Sequence, residues 1–148
     1  RDSCGEWRYL MSRLTYVKIA GKNYPMSFSL GASKKLIEKF GGVERIQAEL
    51  SKPGKDLKKL DLVIYVLSLL ISQGCAYKNY FEKDMPVPED SPVIDGKWTP
   101  IPQEVLEIAV QMQDMSELTE KISACISRSN KKEVEAKPAG KNAEATQG

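Results

Sequence analysis

From Leu57 to Ile71 the chain carries apolar side chains almost all the way round a helix. Leu57, Leu60, Ile64, Leu67 and Ile71 fall on one stripe at helical spacing, and Val63, Val66 and Leu70 widen it. A helix of that kind has to be covered on most of its sides, so the remaining segments are predicted to form a shell around it. Its densest part, Leu62 to Ile71, is shorter than the roughly 20 apolar residues that span a bilayer, and it reads as a buried core helix. Asp56 supplies an N-cap oxygen before it, and Gly74 is expected to interrupt it.

The shell begins with strand-like alternation. Val17 and Ile19 alternate with Tyr16 and Lys18, Gly21-Lys22-Asn23 supplies turn residues, and Tyr24, Met26, Phe28 and Leu30 alternate again. This is a β-hairpin, and Pro25, which has no ladder donor, requires an edge position. Helical spacing then takes over. Ala32, Leu36, Ile37 and Phe40 share a face that ends at Gly41-Gly42, and Val43, Ile46, Gln47 and Leu50 form a short second helix closed by the breakers Ser51 to Gly54.

After the central helix, Cys75, Tyr77, Tyr80 and Phe81 are expected to carry an aromatic patch into a loop containing Pro86, Pro88, Pro92, Pro100 and Pro102. Within it Val93 to Trp98 has the form of a short hairpin about Asp95-Gly96. Helix resumes from Pro102 to Met112, with Val105, Leu106 and Ala109 inward. It resumes again after Asp114, which has capping-box spacing to Glu117 and precedes Leu118, Ile122, Cys125 and Ile126.

The predicted fold is α+β and mostly helical, an N-terminal hairpin packed on four to five helices in one domain over residues 14–128. Residues 1–13 show no apolar periodicity and are expected to be a disordered leader or upstream extension. Residues 129–148, with Val134 their one large aliphatic, are expected to be a disordered polar tail.

Composition narrows the function. With 22 Lys and Arg against 20 Asp and Glu, the net charge of +2 offers little field to attract nucleic acid or an anionic membrane. The chain has no histidine, so the commonest metal ligand and the usual proton-transfer group near neutral pH are missing. Cys4, Cys75 and Cys125 are odd in number and far apart, which fits reduced thiols in a cytosol better than a disulfide framework.

Individual motifs give the same answer. The lysines at 34, 35, 52, 55, 58 and 59 are interleaved with Glu38, Glu44, Glu49, Asp56 and Asp61, as on solvated helix faces. A helix-turn-helix reading of the segment about Gly41-Gly42 would put Glu44 and Glu49 against phosphate, with Arg45 the lone cation there. The acidic positions Glu82, Asp84, Glu89, Asp90 and Asp95 do not follow an EF-hand pattern, and Cys75 has no histidine to activate it. No catalytic set, cofactor site, metal site or small-molecule substrate is predicted, and the chain is expected not to be an enzyme.

The rings of Tyr77, Tyr80, Phe81 and Trp98 are the candidate protein-binding residues, since aromatic side chains at the end of a core helix often anchor partners. Closure of the core by a loop folding back uses rings placed in the same way.

Four segments taken together resemble a known family. They are Val17-Lys18-Ile19-Ala20-Gly21-Lys22-Asn23-Tyr24-Pro25-Met26-Ser27-Phe28-Ser29-Leu30, the Lys-rich helix ending Phe40-Gly41-Gly42, the segment Ile71-Ser72-Gln73-Gly74-Cys75-Ala76-Tyr77-Lys78-Asn79, and the tail from Gly140 to Gly148. The chain resembles tail assembly chaperones of prophages and long-tailed phages of Gram-positive bacteria, over most of residues 16–148. The resemblance implies a small, largely helical, non-enzymatic protein of the bacterial host cytoplasm. Such a protein coats the phage tape-measure protein before the tail tube polymerises around it, and it is expected to act as an oligomer. A structural tail-completion or connector component is the alternative, and a small DNA-binding regulator a further one.

Overall fold

The computed structural model describes residues 14–136, with side chains to Arg128. The leader expected at residues 1–13 and the end of the expected tail, residues 137–148, lie outside the described residues.

Strands β1 (Thr15–Ile19) and β2 (Lys22–Met26) pair antiparallel, with Thr15 opposite Met26 and Ile19 opposite Lys22. Val17 and Ile19 turn into the core while Lys18 faces out. The turn is Ala20-Gly21, with φ of 51° and 83°, so Lys22 and Asn23 belong to β2 and not to the turn as the sequence had suggested. A two-residue hairpin turn needs positive φ at both centres, and Ala20 is an uncommon occupant of the first. Counting from that turn, Tyr16 and Pro25 face each other as a pair without mutual hydrogen bonds, so the ladder loses nothing at the proline.

Helix α1 (Leu30–Phe40) starts at Ser29, whose hydroxyl accepts the Ala32 N–H at 3.1 Å, and ends at the left-handed Gly41. Helix α2 (Val43–Ser51) follows at once. Helix α3 (Leu57–Phe81) starts at Asp56, whose carboxylate accepts the Lys59 N–H at 2.9 Å. Its 25 residues run through Gly74 without a break. By length and composition α3 could cross a membrane, yet 56% of its most apolar window is buried inside the fold.

That burial comes from neighbours on several sides: β2, α1, α2, the short helix α4 (Gln103–Ala109) and the last helix α5 (Met115–Ala136) all pack on α3. Val63, Val66, Leu67, Leu70 and Ile71 have no exposed surface. Leu57 fits the stripe but is 72% exposed, because it lies in the first turn, ahead of the shell. Ile37 and Val105 are likewise corrected from inward to exposed, whereas Ala32, Leu36 and Leu106 are fully buried as expected.

Gly74 lets β2 lie directly on α3. A Cβ there would overlap the Pro25 carbonyl and stand 2.8 Å from the Met26 nitrogen. One turn earlier, the Ser27 N–H donates to the Leu70 carbonyl oxygen at 3.0 Å. The expected helix breaker is therefore a contact point at which only hydrogen fits.

Beyond α3, strands β3 (Val93–Ile94) and β4 (Lys97–Trp98) form the predicted Asp-Gly hairpin, with positive φ at both Asp95 and Gly96. The capping box before α5 spans Gln111 and Asp114 around a 3-10 turn (Met112–Asp114), not Asp114 and Glu117. Helix α5 continues to Ala136, so the first eight residues of the expected tail have helical backbone. Ser129 to Ala136 are mostly Lys, Glu, Ala and Ser. Such residues extend a helix cheaply once its buried face has nucleated it.

Candidate functional site

The last two turns of α3 carry Tyr77, Tyr80 and Phe81, which sit on helix and not, as expected, in the loop. The spacing of four brings Tyr77 and Phe81 together on one face, with ring centroids 5.2 Å apart, and Tyr80 meets the Phe81 ring at 6.4 Å. Tyr80 is 78% exposed and Phe81 74%, while Tyr77 is half-buried. Two large adjacent rings left in water this way are a recognised mark of an interaction surface.

Trp98 does not join them. It is buried beneath the end of α3, and of the two roles open to it the structure assigns core closure. Asn79 fixes it there: the Asn79 side chain donates to the Trp98 carbonyl and accepts its N–H, both at 2.9 Å. The proline-rich connection is tied down at a second point by Asn23, whose N–H donates to the Asp90 carbonyl oxygen at 2.7 Å and whose side-chain amide donates to the Asp90 carboxylate at 2.6 Å. Sequence reasoning gave Asn23 only a turn role and Asn79 none; each is an amide side chain next to a tyrosine, which was the available signal.

Lys78 is a lysine in the floor of the site, only 8% exposed. Its ammonium lies 2.8 Å from Glu82 and above two rings, 5.0 Å from the Trp98 centroid and 5.8 Å from that of Tyr16. Burial pulls the Lys78 pKa down, but hydrogen bonds to Glu82 and Tyr16, together with their charges, more than offset this, and the net shift is upward. Glu82 is also the C-cap of α3 and donates its N–H to the Lys78 carbonyl at 3.1 Å. The exposed rings thus stand on a helix end held by a partly buried ion pair and a doubly hydrogen-bonded asparagine.

Two other surfaces have shape. An apolar groove of about 210 Å³ is lined by Phe40, Leu62 and Tyr65, with Lys39, Glu49, Lys58 and Asp61 around it; Phe40 meets Tyr65 edge-on at 5.7 Å, and the Lys39 ammonium lies 4.9 Å from the Tyr65 centroid. A cleft of about 270 Å³ includes Lys52, Lys55 and Lys59. There Lys59 donates to the Lys52 carbonyl, Lys55 to the Met112 carbonyl at 3.3 Å, and Lys52 pairs with Glu49 at 2.9 Å. These lysines hold the turn between α2 and α3, and Lys52 and Lys55 lie in that turn and not on the solvated helix faces expected for them.

Among the described residues no cluster of three or more His, Cys, Asp or Glu side chains is placed to hold a metal ion. Burial pushes the thiol of Cys75 up to about 12 and that of Cys125 up to about 11. Both thiols therefore stay protonated and unreactive in the folded chain at neutral pH. The linkage runs one way for Cys75, Cys125 and Lys78. Each has a folded pKa above its unfolded one, so its stabilising contribution is complete below the unfolded value, near 9.0 for the thiols and 10.5 for Lys78. That contribution is lost as pH rises through the folded pKa. The expected result is a melting temperature that falls steadily above about pH 9, with both thiols reacting with a chromogenic disulfide only as the chain unfolds. Rapid reaction of either thiol in the native protein at neutral pH would contradict the burial.

Comparison with protein-family models, with curated proteins and with solved structures gives no match to this chain.

Proposed function

We propose that this chain is a non-enzymatic protein-binding module that holds an apolar helical stretch of a phage tape-measure protein during tail assembly. The partner comes from the resemblance in the hairpin, in the Lys-rich helix, in the Ile71 to Asn79 segment and in the tail. The observation that carries the binding surface is the exposed pair Tyr80 and Phe81, backed by Tyr77, on a helix end stiffened by Lys78–Glu82 and Asn79–Trp98. Aromatic side chains lose little rotamer freedom on binding and bring much apolar surface, so a short ring platform suits a client that offers Leu, Ile or Val at helical spacing.

Co-expression with a tape-measure protein, followed by pull-down, is the direct test. The expected result is retention by the wild type and loss by a variant carrying Tyr80→Ala with Phe81→Ala; because both side chains are exposed, that variant keeps the wild-type melt. Absence of the protein from purified virions accompanies a chaperone role, whereas a stoichiometric presence would favour the connector alternative. A wild type that retains no tape-measure protein overturns the proposal.

A further inference from the structure

Charges that are interleaved along the sequence are separated by the fold at the turn between α2 and α3. Lys52, Lys55 and Lys59 line the cleft of about 270 Å³ between that turn and the start of α5, with Ser116, Thr119 and Glu120 on the α5 side. Glu49, Asp56 and Asp61 neighbour these lysines in the sequence, yet none of the three lines the cleft. Asp56 caps α3, and Glu49 is engaged by Lys52 at 2.9 Å and by Lys58 at 3.7 Å.

Lys55 and Lys59 are left without a counterion: neither forms an ion pair with a described residue. Each ammonium meets a backbone carbonyl instead, Lys59 that of Lys52 and Lys55 that of Met112 at 3.3 Å. An ammonium carries three N–H donors, so one bond to a neutral oxygen leaves two donors and the charge uncompensated. The hydroxyls of Ser116 and Thr119 make no hydrogen bond to another described residue. Pro53, Leu60 and Met115 add apolar surface to the lining, which strengthens any charge contact made beside it. The volume lies just under the roughly 300 Å³ at which ordinary ligand pockets begin, and it suits a small ligand.

We infer that this cleft binds a small anion carrying a diphosphate group, free or at the end of an organic molecule. One uncompensated ammonium is held at the Met112 carbonyl and the other at the Lys52 carbonyl, so positive charge is presented at two places. Two phosphoryl groups joined by one bridging oxygen match that arrangement better than a single phosphate does. The Ser116 and Thr119 hydroxyls then donate to phosphoryl oxygens from the α5 side, where charge-assisted bonds are the stronger kind. Glu120, the one carboxylate in the lining, opposes the ligand and keeps its affinity moderate. This inference goes beyond the tape-measure reading and shares no residue with the platform of Tyr77, Tyr80 and Phe81.

The test is titration calorimetry of inorganic pyrophosphate into the full chain at about 50 mM salt, without divalent cations, with orthophosphate and ADP as further ligands. Pyrophosphate should bind at least about tenfold more tightly than orthophosphate, and its binding should weaken at about 500 mM salt. ADP binding as tightly as pyrophosphate assigns the diphosphate of an organic molecule, and ADP binding at least about tenfold more weakly assigns the free anion. Lys55→Gln with Lys59→Gln should weaken pyrophosphate binding at least about tenfold. Lys34→Gln with Lys35→Gln removes the same charge from α1, outside the cleft, and should leave the affinity within about twofold. Because Lys55 and Lys59 also hold the turn, Glu120→Gln is the second variant: it leaves the turn untouched, removes the opposing carboxylate and should tighten binding about threefold. Disruption of the turn cannot mimic that gain. No pyrophosphate binding by the wild type, an equal loss in the α1 variant, or an unchanged affinity in Glu120→Gln would each overturn the inference.

Discussion

Alanine in place of Gly74 should destabilise the protein by at least about 3 kcal/mol, at the upper end of what overpacking usually costs. The expectation is sharp because two effects oppose each other. In an unobstructed helix interior, glycine to alanine gains about 1 kcal/mol of helix propensity. At position 74 the new methyl would meet backbone, not the end of a flexible side chain: the Pro25 carbonyl and, at 2.8 Å, the Met26 nitrogen. Relief requires β2 to lift off α3, which would strain the Ser27 to Leu70 hydrogen bond and uncover Met26, now without exposed surface. Urea unfolding monitored by circular dichroism gives the answer in its sign. An unchanged or raised midpoint would show that β2 does not rest on this helix.

Leu67→Ala should cost roughly 2 to 5 kcal/mol, the range for deleting a buried leucine side chain and leaving a cavity. Leu67 has no exposed surface and lies near the middle of α3, with covered neighbours at Val63, Val66, Leu70 and Ile71. Surrounding side chains on a helix held from several sides cannot readily collapse into the hole. Domains of this kind hold roughly 5 to 15 kcal/mol in total, so a large part of the stability would be lost. Leu57→Ala is the paired control: it lies on the same helix and the same sequence stripe but is 72% exposed, and it should change the melt little. Equal effects at the two positions would contradict the burial assigned to α3.

The features legible in the sequence were those set by a local rule. Asp56 caps α3, Gly41 ends α1 in the left-handed conformation, and Asp95-Gly96 turns the second hairpin, each for a reason contained in a few consecutive residues. What escaped was set by tertiary neighbours. Gly74 has the local chemistry of a breaker, but its role is to admit a strand 48 residues earlier in the chain, at Met26. Leu57, Ile37 and Val105 fit the periodicity of their helices, yet no spacing can tell that the shell stops short of them. The candidate site divided in the same way. The rings of Tyr77, Tyr80 and Phe81 gather because residues three and four apart share a helix face, and that was readable. Trp98 went to the interior because Asn79 and Lys78 draw it under the helix, a long-range pairing with no periodic trace.

The role proposed for the Tyr80–Phe81 platform is to hold an apolar helical client. Its most direct measurement is titration calorimetry of a purified helical segment of a tape-measure protein into the wild type and into the double variant Tyr80→Ala with Phe81→Ala. Binding is expected with a negative heat-capacity change, as apolar burial requires; it should survive a rise to moderate salt and be weakened at least about tenfold in the variant. No binding by the wild type, or the same affinity in a folded double variant, would contradict it.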